Sequence, residues 1–136
     1  MKRPLRVAEL DHVVLRCRDQ ARMSDFYTRV LGLDEERRID AIGLIQLRAG
    51  QSMVDLLLAY DDRDVVAPNV DHFCLGIMAT DMNSVVAYLA ECGAEVIGEP
   101  SERYGARGTG LSVYVRDPEG NVVELKQVPD APARLS

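Results

Sequence analysis

The chain has 136 residues, 47% of them hydrophobic and 28% charged, enough for one domain or two small intimate modules with a core that needs no metal or disulfide staple. Its formal net charge of −6, with no basic run beyond Lys2-Arg3-Pro4-Leu5-Arg6, argues against a nucleic-acid-binding face, and no apolar run nears the roughly 18 residues of a membrane span. Cys17, Cys74 and Cys92 form no C-x-x-C pair, and with no signal peptide the chain reads as reduced and cytoplasmic.

In chain order, residues 1–8 are a charged lead-in. Residues 10–17 read as a strand that alternates His12, Val14 and Arg16 against Val13, Leu15 and Cys17. Asp19 then caps a helix whose apolar stripe is Met23, Phe26, Tyr27, Val30 and Leu31, closed by Gly32. Residues 33–39, 42–47 and 52–60 are strand candidates, the first two split only by Asp40-Ala41. Residues 61–69 are polar, contain Pro68 and read as a linker.

The pattern then restarts. Residues 70–79 form a strand with His72, Cys74 and Gly76 on one face, and Asp81 caps a helix with the stripe Met82, Val85, Val86, Leu89 and Ala90, ending near Cys92-Gly93. Residues 94–97 read as a short strand and 99–110 as a loop rich in Gly, Arg and Tyr. Residues 110–116 and 122–128 are strands around the tight turn Asp117-Pro118-Glu119-Gly120-Asn121. Residues 129–136 read as a loose tail. The chain has thus said the same thing twice: Leu10-Asp11-His12-Val13-Val14-Leu15 answers Val70-Asp71-His72-Phe73-Cys74-Leu75. The only two histidines stand 60 residues apart, and the helix-ending glycines 61. Such a repeat sets the architecture. The expected fold is α+β: two paired βαβββ modules, about 8–60 and 70–127, within one domain of 1–136, forming an open half-barrel around a cavity.

Each module ends in a strand that carries a carboxylate among apolar residues, Asp55 in Met53-Val54-Asp55-Leu56-Leu57 and Glu124 in Val122-Val123-Glu124-Leu125. Such a group is costly to bury without a partner. In an open half-barrel, first and last strands line one cavity, and His12, Asp55, His72 and Glu124 would meet there. Two imidazoles and two carboxylates suit a divalent metal such as Zn, Ni, Co, Mn or Fe. The plainer alternative is a hydrogen-bonded structural histidine and an edge aspartate facing water. Arg16 shares the face of His12, where its planar fork would hold a substrate carboxylate. Cys74 reads as a small apolar thiol rather than a ligand. Arg103, Tyr104 and Arg107 fall in the 99–110 loop, either a lid that touches substrate or a solvated connection. Phe26, Tyr27 and Tyr88 read as core. No phosphate-binding glycine loop or nucleophile elbow is present.

These repeats, with Asp25-Phe26-Tyr27-Thr28-Arg29-Val30-Leu31-Gly32-Leu33 and the closing Asp117-Pro118-Glu119-Gly120-Asn121-Val122-Val123-Glu124-Leu125, resemble the vicinal oxygen chelate superfamily over roughly residues 8–127. That group includes glyoxalase I, fosfomycin and bleomycin resistance proteins and extradiol dioxygenases. The resemblance implies that His12, Asp55, His72 and Glu124 stand at the four metal places of a bacterial glyoxalase I. Arg16 stands where that enzyme holds glutathione. Two positions depart from the pattern: Asp55 replaces the usual Glu, and Ala59 stands where a glutathione-binding Asn is expected, which speaks against glutathione as cofactor. The resemblance also implies a homodimer with a small-molecule substrate. The implied activity is a metal-dependent carbon–sulfur lyase or isomerase, with Glu124 first and Asp55 second as the proton-transferring carboxylate. The rival readings are a non-catalytic binding or resistance protein on the same scaffold and an Fe(II) ring-cleaving dioxygenase.

Overall fold

A computed structural model describes residues 9–59, 70 and 72–128; the expected lead-in 1–8, linker 61–69 and tail 129–136 lie outside the described residues. The chain divides into two units, Met1–Tyr60 and Asp61–Ser136.

In the first unit, β1 (His12–Cys17) leads into α1 (Gln20–Asp25), which widens into a π-helical turn, Phe26–Val30. The Asp19 carboxylate accepts the Arg22 N–H at 3.0 Å, the expected N-cap. The wide turn closes through Leu31 N–H to Phe26 O at 3.1 Å. It turns Phe26, Tyr27 and Val30 all into the core. Gly32 follows with φ +84°, the left-handed geometry a helix end favours. β2 (Asp34–Ile39), a 3₁₀ turn (Asp40–Ile42), β3 (Leu44–Ala49) and β4 (Ser52–Leu58) complete the unit. The sheet order is β1-β4-β3-β2, with β1 parallel to β4 and the other pairs antiparallel. The Asp40-Ala41 split expected from sequence is this 3₁₀ turn, ended by Gly43 at φ +65°. Val54 and Leu56 on β4 and Ile45 and Leu47 on β3 are buried, with Leu15, Cys17, Met23 and Tyr27. β2 is an edge strand whose only apolar residue is Ile39, a composition that discourages pairing with another chain.

In the second unit, β5 (Phe73–Met78), α2 (Met82–Glu91), β6 (Glu95–Gly105), β7 (Gly108–Arg116) and β8 (Val122–Val128) repeat the βαβββ order. The sheet order β5-β8-β7-β6 repeats that of the first unit, again with the first and last strands parallel. Asp81 caps α2 by accepting the Asn83 N–H at 3.0 Å. Val113, Val115, Val123 and Leu125 are buried with Met82 and Leu89 of the helix. The Asp117 carboxylate builds the turn before β8, accepting the N–H groups of Glu119 and Asn121 at 2.9 Å each.

Two expectations are corrected here. Residues 99–110 are not a loop or lid: β6 and β7 form a long hairpin, paired from Ser101↔Ser112 to Gly105↔Gly108 around the turn residues Ala106 and Arg107. Gly98 and Pro100, which read as breakers, sit where the ladder shifts register between Ile97 and Ser101; a bulge tolerates a residue without an N–H. Tyr88, assigned to the core, is 47% exposed on α2, whereas Phe26 and Tyr27 are buried. Among the described residues no helix is long and apolar enough to cross a membrane.

Candidate functional site

Both sheets have the same anatomy. One face packs on the unit's helix; the other carries the polar side chains singled out by the sequence. In the first sheet Val14 is the Cα partner of Asp55, and in the second Cys74 is the partner of Glu124. Each histidine therefore lies two residues before the residue paired with its unit's acid, on the same face as that acid.

In the first unit Asp55 is 4% exposed, and its Oδ2 accepts the Gln46 amide at 3.1 Å from the neighbouring strand. Its Oδ1 is buried with no hydrogen-bond partner among the described residues. A buried acceptor left unmade costs roughly 1–3 kcal/mol, and a carboxylate oxygen of this kind is a hard donor suited to a cation or a hydrogen-bond donor. His12 bonds through Nδ1 to Asp11 Oδ1 at 2.7 Å, which leaves Nε2 for another role. That bond raises the His12 pKa above 6.5, opposed by desolvation and reinforced by the negative charge of Asp55. Arg16 lies on the same side of β1 and is exposed. In metal-free protein an NMR titration should place the His12 midpoint above 6.5 and Asp11→Asn should lower it, because the largest cause is removed. The sign for stability follows: a raised folded pKa contributes below pH 6.5, and the contribution fades as pH rises through the folded value.

The second unit is more tightly knit. His72 Nε2 stands 3.2 Å from Glu124 Oε1, and the Ser112 hydroxyl donates to Glu124 Oε2 at 2.6 Å. The His72 ring meets Tyr114 edge to face, centroids 5.6 Å apart. Arg103 donates through Nε to the Tyr114 hydroxyl at 3.2 Å. Cys74 is exposed beside this cluster rather than buried, as its reading as an apolar thiol required. Desolvation and then the Glu124 charge push its thiol up to about 11, so it is protonated at neutral pH and is neither a ready nucleophile nor a ready ligand. Tyr104, on the alternate face of β6, is 86% exposed, and Arg107 lies in the hairpin turn. Of the three residues expected in the 99–110 segment, only Arg103 joins the cluster.

Each unit thus brings together one imidazole and one carboxylate. Among the described residues no three His, Cys, Asp or Glu side chains gather as a metal cluster. Gln46, Ser112, Tyr114 and Lys126 were missed. The signal for them lay in strand alternation: Ser112 and Tyr114 fall on one face of β7, and Lys126 follows Glu124 by two on β8.

The family model described as the Glyoxalase/Bleomycin resistance protein/Dioxygenase superfamily matches residues 9–125. The chain belongs to that superfamily. It is 31% identical over 135 residues to glyoxalase domain-containing protein RDO1 of Mycosarcoma maydis, covering 96% of this chain and 74% of that one. It is 29% identical over 126 residues to virulence protein STM3117 of Salmonella typhimurium, covering 89% and 85%. The STM3117 crystal structure superposes with a TM-score of 0.71, covering 92% and 100%. Lactoylglutathione lyase from Agrobacterium tumefaciens shares the fold at 21% identity and a TM-score of 0.66, covering 92% and 96%. The repeated βαβββ order expected from sequence is therefore the architecture of this superfamily, whose members commonly use divalent metals.

Proposed function

We propose that this superfamily member is a divalent-metal-dependent lyase or isomerase acting on a small substrate with neighbouring oxygens. In this reading His12, Asp55, His72 and Glu124 are the metal ligands. The observation that carries the reading is the identical register of a histidine and a carboxylate in two sheets, with Asp55 Oδ1 buried and without a hydrogen-bond partner among the described residues. The donor set fits a borderline ion such as Zn, Ni, Co, Mn or Fe. The His12–Asp11 bond is the kind that fixes a ligating imidazole.

A metal held there would supply Lewis-acid polarisation of a substrate carbonyl and stabilise negative charge on its oxygen. The remaining work falls to the chain. Glu124 takes a proton from the carbon beside the carbonyl and returns it to the neighbouring carbon, so the net change is isomerisation. The Ser112 hydroxyl fixes one carboxylate oxygen and leaves the other facing His72. Positioned proton transfer of this kind contributes roughly 10²–10⁴-fold. Asp55 is the second choice for the base. Arg16 orients an anionic part of the substrate.

The test is turnover of the methylglyoxal–glutathione hemithioacetal by metal-loaded protein. A rate that disappears in Glu124→Gln supports the glyoxalase version. An inert, fully metal-loaded protein removes that version. Protein that retains none of these metals removes the metalloenzyme.

A further inference from the structure

We propose that Gln46 is a positioning residue for Asp55 and sets which divalent ions the site prefers; this rests on Asp55 being a metal ligand, as read above. The two repeats put their acids in equivalent places: β3 sets Gln46 opposite Asp55, and β7 sets Tyr114 opposite Glu124. The acids are nevertheless held differently. Glu124 has both oxygens engaged, one by the Ser112 hydroxyl at 2.6 Å and one by His72 Nε2 at 3.2 Å. Asp55 has Oδ2 engaged by the Gln46 amide at 3.1 Å, while its buried Oδ1 has no hydrogen-bond partner among the described residues.

An ionised carboxylate only accepts hydrogen bonds, so Gln46 must turn its NH₂ rather than its carbonyl toward Asp55. The bond is charge-assisted and joins side chains directly opposite one another on neighbouring strands. It therefore fixes the rotation of the carboxylate and leaves Oδ1 as the oxygen offered to an ion. Leu44 stands on β3 where Ser112 stands on β7, two residues before the acid's cross-strand partner, so no hydroxyl is placed there to replace the amide. One carboxylate oxygen in a fixed pose beside imidazole suits Ni or Zn, whereas a carboxylate free to offer both oxygens suits a harder ion such as Mn. Loss of the Gln46 amide should therefore weaken Ni binding and spare or strengthen Mn binding.

The test is calorimetric titration of metal-stripped full-length protein with Ni²⁺ and with Mn²⁺. Gln46→Met keeps the length of the side chain and removes the donor. It should lower Ni²⁺ affinity by roughly tenfold or more, the scale of a lost outer-shell partner, and leave Mn²⁺ affinity equal or higher. In an Asp55→Asn background the same change should no longer alter the preference between the two ions, because Gln46 acts through the carboxylate. A merely structural role would weaken both ions alike, and that result would overturn the proposal. So would unchanged Ni²⁺ affinity, or a shift in preference that persists in the Asp55→Asn background. Gln46→Asn, whose amide is one methylene short of Asp55, should shift the preference in the same direction, and failure of both Gln46 variants to fold would make the residue structural. Wild type that binds neither ion ends this inference together with the metalloenzyme. Wild type that binds Ni²⁺ with a preference indifferent to Gln46 ends this inference alone.

Discussion

His72→Ala should release the metal. Wild-type protein purified without added metal and passed through gel filtration should carry close to one equivalent of a divalent transition ion, and the variant should carry almost none. The expected loss of affinity exceeds the roughly 10–100-fold that follows loss of a mere outer-shell partner. His72 is the sharper choice of the two histidines because its Nε2 already faces Glu124 at 3.2 Å and its ring rests edge-on against Tyr114. Removing it deletes a donor without deleting a core side chain. Cys74→Ser is the matched control: the thiol sits beside the same carboxylate but is held protonated, up to about 11, so this variant should keep its ion. Elemental analysis decides. Full retention by His72→Ala would end the ligand assignment, and loss by Cys74→Ser would move it to the thiol.

Much of the fold was legible because its two units repeat the same local grammar. Asp19 and Asp81 cap helices as read, and Gly32 ends the first with a positive φ. Asp55 and Glu124 lie in the last strand of each unit, where the interrupted apolar runs put them. The β6–β7 hairpin was not legible, because Gly98, Pro100, Gly105 and Gly108 carry the composition of a loop. Their cost vanishes only once a bulge and a two-residue turn absorb them. The exposure of Tyr88 escaped for a related reason: an aromatic near a helical stripe says nothing of which side the helix packs. At the site, spacing announced the acids and imidazoles but not their partners. That Ser112 should satisfy Glu124, or Gln46 satisfy Asp55, depends on strand register. Register follows from which strands pair, a non-local choice that a reading of one strand at a time leaves open.

Asp55→Leu should make stability depend on metal in opposite senses for variant and wild type. Without metal, the wild-type sheet buries a carboxylate with one oxygen that has no partner among the described residues. A side chain of similar size and no polar atoms removes that cost, at the loss of one bond from the half-buried Gln46 amide. The net expectation in chelator is a variant as stable as wild type or more so, by up to about 1–3 kcal/mol. With metal the order inverts. At free metal about a thousand times its Kd, binding to the folded state alone adds about 4 kcal/mol. That gain belongs to wild type and is largely absent from the variant. Urea unfolding with chelator and with excess metal measures all four quantities. A variant less stable than wild type in chelator would make Asp55 a structural residue. Equal metal stabilisation of the two proteins would remove it from the ligand set. Crossing lines are the outcome expected of a residue that weakens the empty protein because it serves an ion.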